Sequence, residues 1–497
     1  MHSEDGVIGF DFCFTSWTTG EKMSDQEKSI TEYVAELIAR SRKAQKLAER
    51  LTQQEVDELA AAITWEFVFN TKLMAELAEF SFNECRMGDV PSKIIKTVSK
   101  ARGIYYDVKH EKTVGVVEEI PEKGLVRIAK PAGVIGSLVP GTQGEMHPVV
   151  QAINVVKARD AIIFSPHPRA KKTTAKVVGV LRAIMRHYDA PEDLFLCIEE
   201  PSIAKTKELM RQCDLVMATG GHGMVLAAYS SGTPAYGVGA GNAVIVVDKT
   251  ADLPDAAEKI KLSKTFDLAA GCSCDNSLVI DESVYDQMLA ELKKVGAYLA
   301  TAEEKIKVRK AIWPNWPDDL VLNREIVASP VENIAEIAGI TIPEGTCMIL
   351  VEEDQTGAVT PFAGEKLSLV TTVYKSTDLD DAIRIVNENQ AYSGSGHSCG
   401  VFSKDNAVID EVALRTYTTR VVVNQPQAYT NTGNWISGMP FTSSLGCGTW
   451  GGNIASENIT LKHYLNNTWV IREIPNREPT DEELFAGFTP KKINLAE

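Results

Sequence analysis

The sequence predicts an α/β protein built on parallel sheets with helices on both faces. Short continuous apolar runs such as Ala161-Ile162-Ile163-Phe164 recur between amphipathic helical stretches, the rhythm of strands buried on both sides. The chain has 497 residues, enough for two or three domains and a sizeable core. Its nine cysteines lack short regular spacing, and no CxxC pair or HExxH segment occurs, so the fold requires neither a disulfide framework nor a metal.

The elements follow in order. Residues 1–22 lack the basic start and long apolar run of a secretory signal, and are expected to be an N-terminal extension, disordered or addressed to an assembly. Residues 25–102 are expected to be helical, because Ile30, Val34, Leu37 and Ile38 recur at 3.6-residue spacing, as do Val56, Leu59, Ala60 and Ile63. Residues 114–129 alternate β-formers around Pro121-Glu122-Lys123-Gly124, a hairpin too polar for a core pair. Strands over 134–139, 161–164, 194–197 and 215–218 then alternate with helices over 147–157, 170–186 and 202–212. A second alternating region spans 243–423, with strands at 277–280, 348–351 and 421–423. The tail carries the glycine-rich loop 446–453 and a strand over 468–472, which with the hairpin presents an edge that wants a partner.

Composition excludes some functions. The formal charge is −16 and the sequence pI about 5.1, so nucleic acid is not an expected partner. No apolar stretch approaches the roughly 20 residues that span a bilayer, and no membrane is expected. The cysteine usage suits a reducing, cytoplasmic home.

Three segments carry chemistry. In Ala269-Ala270-Gly271-Cys272-Ser273-Cys274 a thiol follows small residues and precedes an apolar strand. Small residues admit a substrate to sulfur, and backbone N–H groups there can meet an oxyanion. Thr219-Gly220-Gly221-His222-Gly223 follows a strand and opens a helix, a suitable seat for a pyrophosphate. Gly237-Val238-Gly239-Ala240-Gly241-Asn242 is glycine-rich but precedes a strand, the wrong order for a phosphate loop and compatible with a plain tight turn.

Taken with Ser165-Pro166-His167-Pro168, Glu365-Lys366-Leu367-Ser368 and Gly446-Cys447-Gly448-Thr449-Trp450-Gly451-Gly452-Asn453, these segments resemble the aldehyde dehydrogenase superfamily, in its CoA-acylating branch, over residues 30–475. The resemblance implies a Rossmann-like nucleotide-binding domain (23–113 and 130–250), an α/β catalytic domain bearing Cys272 (251–440), and a β oligomerisation arm (114–129 and 455–480) of a homodimer or homotetramer. It implies that the Cys272 thiolate attacks an aldehyde, that hydride leaves to NAD or NADP, and that coenzyme A takes the acyl group. The thiol pKa is expected to be lowered by N–H donors or nearby positive charge. Ser165, His167, Thr219, Gly220, Gly221, Gly237, Gly239 and Glu365 are the implied cofactor contacts, Glu365 at the nicotinamide ribose. His147 and His397 are candidates for substrate or CoA.

Hydrolytic relatives carry a glutamate that activates water where this chain has Gly237, which is expected to leave open space and no base beside the sulfur. Water attack without a base loses about 10²–10⁴-fold, whereas a thiol is the better nucleophile. The usual oxyanion asparagine is replaced by Gln143, within Thr142-Gln143-Gly144-Glu145-Met146-His147. That change makes sulfoacetaldehyde a candidate beside acetaldehyde, with Gln143 or His147 as sulfonate donors. The alternatives are a hydrolytic enzyme giving the free acid, and a silent scaffold or cargo member. Arg169, Lys171 and Lys172 leave the choice of nicotinamide open.

Overall fold

The computed structural model describes residues 25–491; the extension expected over 1–22 lies outside them. Four helices come first, α1 (Asp25–Ala48), α2 (Gln53–Phe69), α3 (Thr71–Cys85) and α4 (Val90–Val108). Thr52 and Glu55 close a reciprocal capping box on α2, and the Asp89 side chain accepts from Ser92 N to cap α4. Each start is set by a local acceptor for otherwise unpaired N–H groups.

The hairpin follows as β1 (Gly115–Ile120) and β2 (Leu125–Pro131), turned through Gly124 at φ +62°. Next come β3 (Val134–Val139), α5 (His147–Ala158), β4 (Ala161–Pro166), α6 (Lys171–His187), β5 (Phe195–Cys197), α7 (Ile203–Gln212), β6 (Leu215–Thr219), α8 (His222–Tyr229) and β7 (Ala235–Val238). The five strands are parallel, ordered β5-β4-β3-β6-β7, so the winding reverses between β3 and β6. Period-two alternation feeds both faces. Val134 and Leu138 pack with Val34, Leu37 and Leu209 under α1 and α7. Ile135 and Val139 point the other way, toward Ile63, Val149 and Leu181.

A larger parallel sheet takes β8 (Ala243–Val247), α9 (Leu253–Thr265), β9 (Asp275–Asp281), α10 (Tyr285–Lys294), β10 (Ala297–Leu299), α11 (Ala302–Ile312), α12 (Val331–Ala338), β11 (Met348–Glu352), β12 (Val370–Ser376), α13 (Leu379–Tyr392), β13 (Cys399–Phe402), α14 (Asn406–Arg415) and β14 (Val421–Val423). Its seven strands run β10-β11-β12-β9-β8-β13-β14. Two expected boundaries shift. β8 bonds to β9 and β13, so the chain changes sheets between Val238 and Ala243 rather than at residue 250. Ala455, Ile459, Leu461 and Tyr464 belong to the core beside the first sheet, because their apolar side chains fill it. β15 (Leu465–Ile471) joins the arm, antiparallel to β2, and Arg472 and Arg477 bond on to the hairpin turn at Gly124 O and Glu122 O.

Candidate active site

Cys272 lies in the turn between α9 and β9, partly buried on the wall of a cleft that is open at its mouth. Its approach is unusual. Asp267, Leu268 and Ala269 sit consecutively at φ +48°, +52° and +61°, a left-handed run costing side-chain-bearing residues roughly 1 kcal/mol or more apiece. Asp267 holds the run in place. Its carboxylate accepts from Asp89 N at 3.0 Å and from Lys96 Nζ at 2.6 Å, and its own N–H donates to Ser92 Oγ at 3.2 Å. Gly88 makes this possible, since a Cβ there would fall 1.9 Å from Asp267 Oδ1. A buried charge set thus fastens the cysteine turn to α4.

The histidine expected only as a substrate or CoA contact is brought to the sulfur. His397 Nε2 is 3.3 Å from Cys272 Sγ, and its Nδ1 is 2.9 Å from Ser398 Oγ, which accepts from Asn431 Nδ2 at 3.0 Å. Glycines permit the close packing of its loop. A Cβ on Gly396 would meet Cys447 O at 1.9 Å, and one on Gly394 would meet Asn242 at 2.5 Å. Burial, helped by Arg420, lowers the imidazole pKa to about 3, so His397 is neutral at rest.

The thiol pKa moves opposite to expectation. Burial pushes Cys272 up to about 12, and the nearby Glu365 carboxyl adds to the rise. The expected lowering fails because burial, the largest cause, and Glu365 both disfavour the thiolate. A carboxyl does stand near, contrary to the reading from Gly237. Glu365 is partly buried, accepts from Gly241 N at 3.3 Å, and is raised by burial to about 8. It is therefore mostly protonated at neutral pH and a poor base for water.

Gly237 leaves no open space. It lies in β7, where a Cβ would come 2.8 Å from Tyr229 Cε2 and 2.9 Å from Val225 Cγ1. The Tyr229 hydroxyl further binds both the N–H and carbonyl of Gly237. The open side is at Gly239, which lines the cleft and whose Cβ would meet nothing within 4 Å. Gly241 is needed for contact, since a Cβ there would sit 2.2 Å from Cys272 O.

Gln143 lines the cleft, its Oε1 buried without a partner. His147 does not reach it. The ring is wholly enclosed at the start of α5, both nitrogens lack partners, and burial lowers its pKa to about 4. Sequence reasoning missed Lys96 and Lys100, which α4 presents to the cleft; nothing in a helical lysine pair marks it as facing a cysteine 176 and 172 residues away.

Thr219 lines the cleft near its nucleotide side, while Gly221, His222 and Gly223 are exposed in the first turn of α8. Cβ atoms on Gly221 and Gly223 would meet nothing within 4 Å, so this helix start is open to a phosphate group. It stands at the carboxyl end of β6, beside the point where the winding reverses. Ser165 is tied to Thr206 at 2.7 Å, and His167 Nδ1 accepts from Arg169 N at 3.1 Å. The Arg169 and Lys171 side chains are engaged by Cys85 O and Glu200 respectively.

The sequence matches the aldehyde dehydrogenase family model over residues 13–306. An acylating sulfoacetaldehyde dehydrogenase from Bilophila wadsworthia is 41% identical over 459 residues, 92% of this chain and 99% of that protein. A succinate-semialdehyde dehydrogenase (acetylating) from Clostridium kluyveri is 36% identical over 434 residues, 87% of this chain and 94% of that protein. The crystal structure of an acetylating aldehyde dehydrogenase from Geobacillus thermoglucosidasius matches with TM-score 0.86 at 34% identity, covering 92% of this chain and 100% of that one. The chain belongs to the aldehyde dehydrogenase family, in its acylating branch. No helix among the described residues is long and apolar enough to cross a membrane.

Proposed function

We propose that this acylating aldehyde dehydrogenase oxidises sulfoacetaldehyde to its acyl-CoA with reduction of NAD or NADP, using Cys272 as nucleophile and His397 as its base. The observation that carries the chemistry is the 3.3 Å contact between His397 Nε2 and Cys272 Sγ. His397 takes the thiol proton as the sulfur adds to the aldehyde carbon. Ser398 and Asn431 fix the ring so that Nε2 faces the sulfur. The Gln143 amide and the Cys272 N–H meet the oxygen as it becomes anionic. A nicotinamide dinucleotide, when bound, supplies the hydride acceptor, with Gly220, Gly221, Gly239 and Glu365 as the residues that would hold it. Cys272 then carries the acyl group as a thioester. After His397 has released its proton to solvent, it accepts the proton of the CoA thiol, whose sulfur displaces Cys272.

Thiolysis is favoured over hydrolysis because Gly237 supplies no carboxylate and Glu365 is largely protonated at neutral pH. Relatives named for sulfoacetaldehyde and succinate semialdehyde both act on short aldehydes bearing an anion, which supports a charged substrate over acetaldehyde. The arm supports a homo-oligomer, dimer or tetramer, and the free cysteines among the described residues suit a cytoplasmic home.

The test is a panel of acetaldehyde, propionaldehyde, sulfoacetaldehyde and succinic semialdehyde, each with CoA and NAD or NADP, read by reduced-nucleotide absorbance. Highest kcat/KM on sulfoacetaldehyde with a CoA requirement supports the reading. Undiminished steady turnover without CoA overturns it in favour of the hydrolytic alternative, and no turnover of any aldehyde favours a silent member.

A further inference from the structure

Two lysines one helical turn apart on α4 face the cleft that holds Cys272, and their surroundings differ. Lys96 is saturated. Its Nζ donates to Thr142 O at 2.8 Å and pairs with Asp267 at 2.6 Å and Glu145 at 2.9 Å, three acceptors for three protons. Lys100 has no carboxylate within 4 Å among the described residues. Its Nζ meets only the carbonyls of Thr432 and Gly433, at 3.0 and 2.8 Å, and lies 5.4 Å from the centre of the Phe441 ring.

An ammonium withdrawn from water and given only carbonyl dipoles and a ring face lacks a countercharge. It also retains one N–H with no protein acceptor. Burial accordingly lowers the Lys100 pKa to about 7. The hydroxyl-bearing residues Thr142, Thr432 and Ser443 line the same cleft. Such a wall is incomplete as protein and complete once an anion with several acceptor oxygens enters it.

We propose that Lys100 is the specificity-determining residue that binds the anionic group of the substrate, a sulfonate or carboxylate, while Cys272 of the same cleft attacks its aldehyde carbon. This rests on the reading of the cleft as the aldehyde pocket, and it replaces His147, which is sealed from the cleft, as the anion donor. Lys96 cannot serve in this way, since Asp267 and Glu145 already neutralise it. A neutral aldehyde gains nothing from Lys100, so the residue acts on the choice between substrates.

The experiment compares the unaltered enzyme with Lys100→Met and Lys100→Arg. One measurement is kcat/KM for sulfoacetaldehyde, succinic semialdehyde and acetaldehyde; the other is competitive inhibition of acetaldehyde oxidation by 2-hydroxyethanesulfonate, an unreactive sulfonate. Lys100→Met is expected to lower the anionic-to-neutral selectivity ratio by roughly 10- to 100-fold, mainly through KM, and to weaken the inhibitor similarly. Lys100→Arg is expected to recover part of both. A selectivity ratio and an inhibition constant that move less than threefold in Lys100→Met overturn the assignment, as does an unaltered enzyme that neither prefers an anionic aldehyde nor is inhibited by the sulfonate. An unaltered enzyme that ignores sulfoacetaldehyde yet takes succinic semialdehyde through Lys100 sinks the sulfoacetaldehyde reading and supports this one.

Discussion

His397 and Cys272 lie 125 residues apart in sequence, and their reactive atoms stand 3.3 Å apart in the fold. The neutral imidazole faces a thiol whose pKa is raised to about 12, so the resting pair is uncharged. Removing the base should therefore leave a protonated, sluggish sulfur. His397→Ala is expected to lower kcat by about 10²–10⁴-fold, with Ser398→Ala losing less. Steady-state kinetics, with a burst experiment to time acylation of Cys272, measure both.

The raised thiol pKa also sets a pH profile for the unliganded protein. Only thiolate alkylates, and below its pKa the thiolate fraction grows tenfold per pH unit. Iodoacetamide modification of Cys272 should keep rising from pH 7 to 10. A plateau above pH 9 would show an ordinary thiol.

Gly237→Glu tests whether the absent base can be restored by sequence alone. A side chain at 237 runs into Tyr229 and Val225, at 2.8 and 2.9 Å from its first carbon. The variant is expected to lose about 1–3 kcal/mol of stability through overpacking and to gain no CoA-independent turnover. Denaturant unfolding and product analysis without CoA give the two readouts.

Glu145 is buried with Lys96 and Lys93, its Oε2 accepting from Ser81 Oγ at 2.6 Å. Burial alone would raise its pKa, but Lys96 and Lys93 outweigh that and lower it to about 2. A depressed carboxyl contributes stability above the unfolded value near 4.5 that is lost as pH falls toward 2. Melting temperature should fall across that window. Glu145→Gln should flatten this dependence and lower stability at pH 7 by roughly 3–5 kcal/mol, because it strands the buried Lys93 and leaves Lys96 with Asp267 alone.

The arm leaves Trp469 and Ile471 exposed, at 45% and 77%, on the edge strand β15. Trp469→Glu with Ile471→Glu is expected to shift the protein toward monomer in light-scattering chromatography while its far-UV spectrum is kept.

Much of the fold was legible because it depends on local pattern. The apolar runs at 134–139 and 161–164 read as strands buried on both faces, and α6 beyond them buries one stripe, Thr174, Val177, Val178, Leu181 and Met185. Gly237 misled for the opposite reason. A glycine's sequence context cannot say whether its bare face looks onto substrate or, as here, onto the Tyr229 ring.

The sequence by itself determined the α/β order of elements and the hairpin, and pointed to the proposed nucleophile and to a helix start open to a phosphate, since each rests on residues adjacent in the chain. Tertiary structure alone decided that His397 meets Cys272, that His147 is sealed away, that Glu365 approaches the sulfur, and that Lys100 faces the cleft without a counter-ion. Those relations depend on how two sheets close on one another, and on the burial that closure imposes on charge, which no local spacing records.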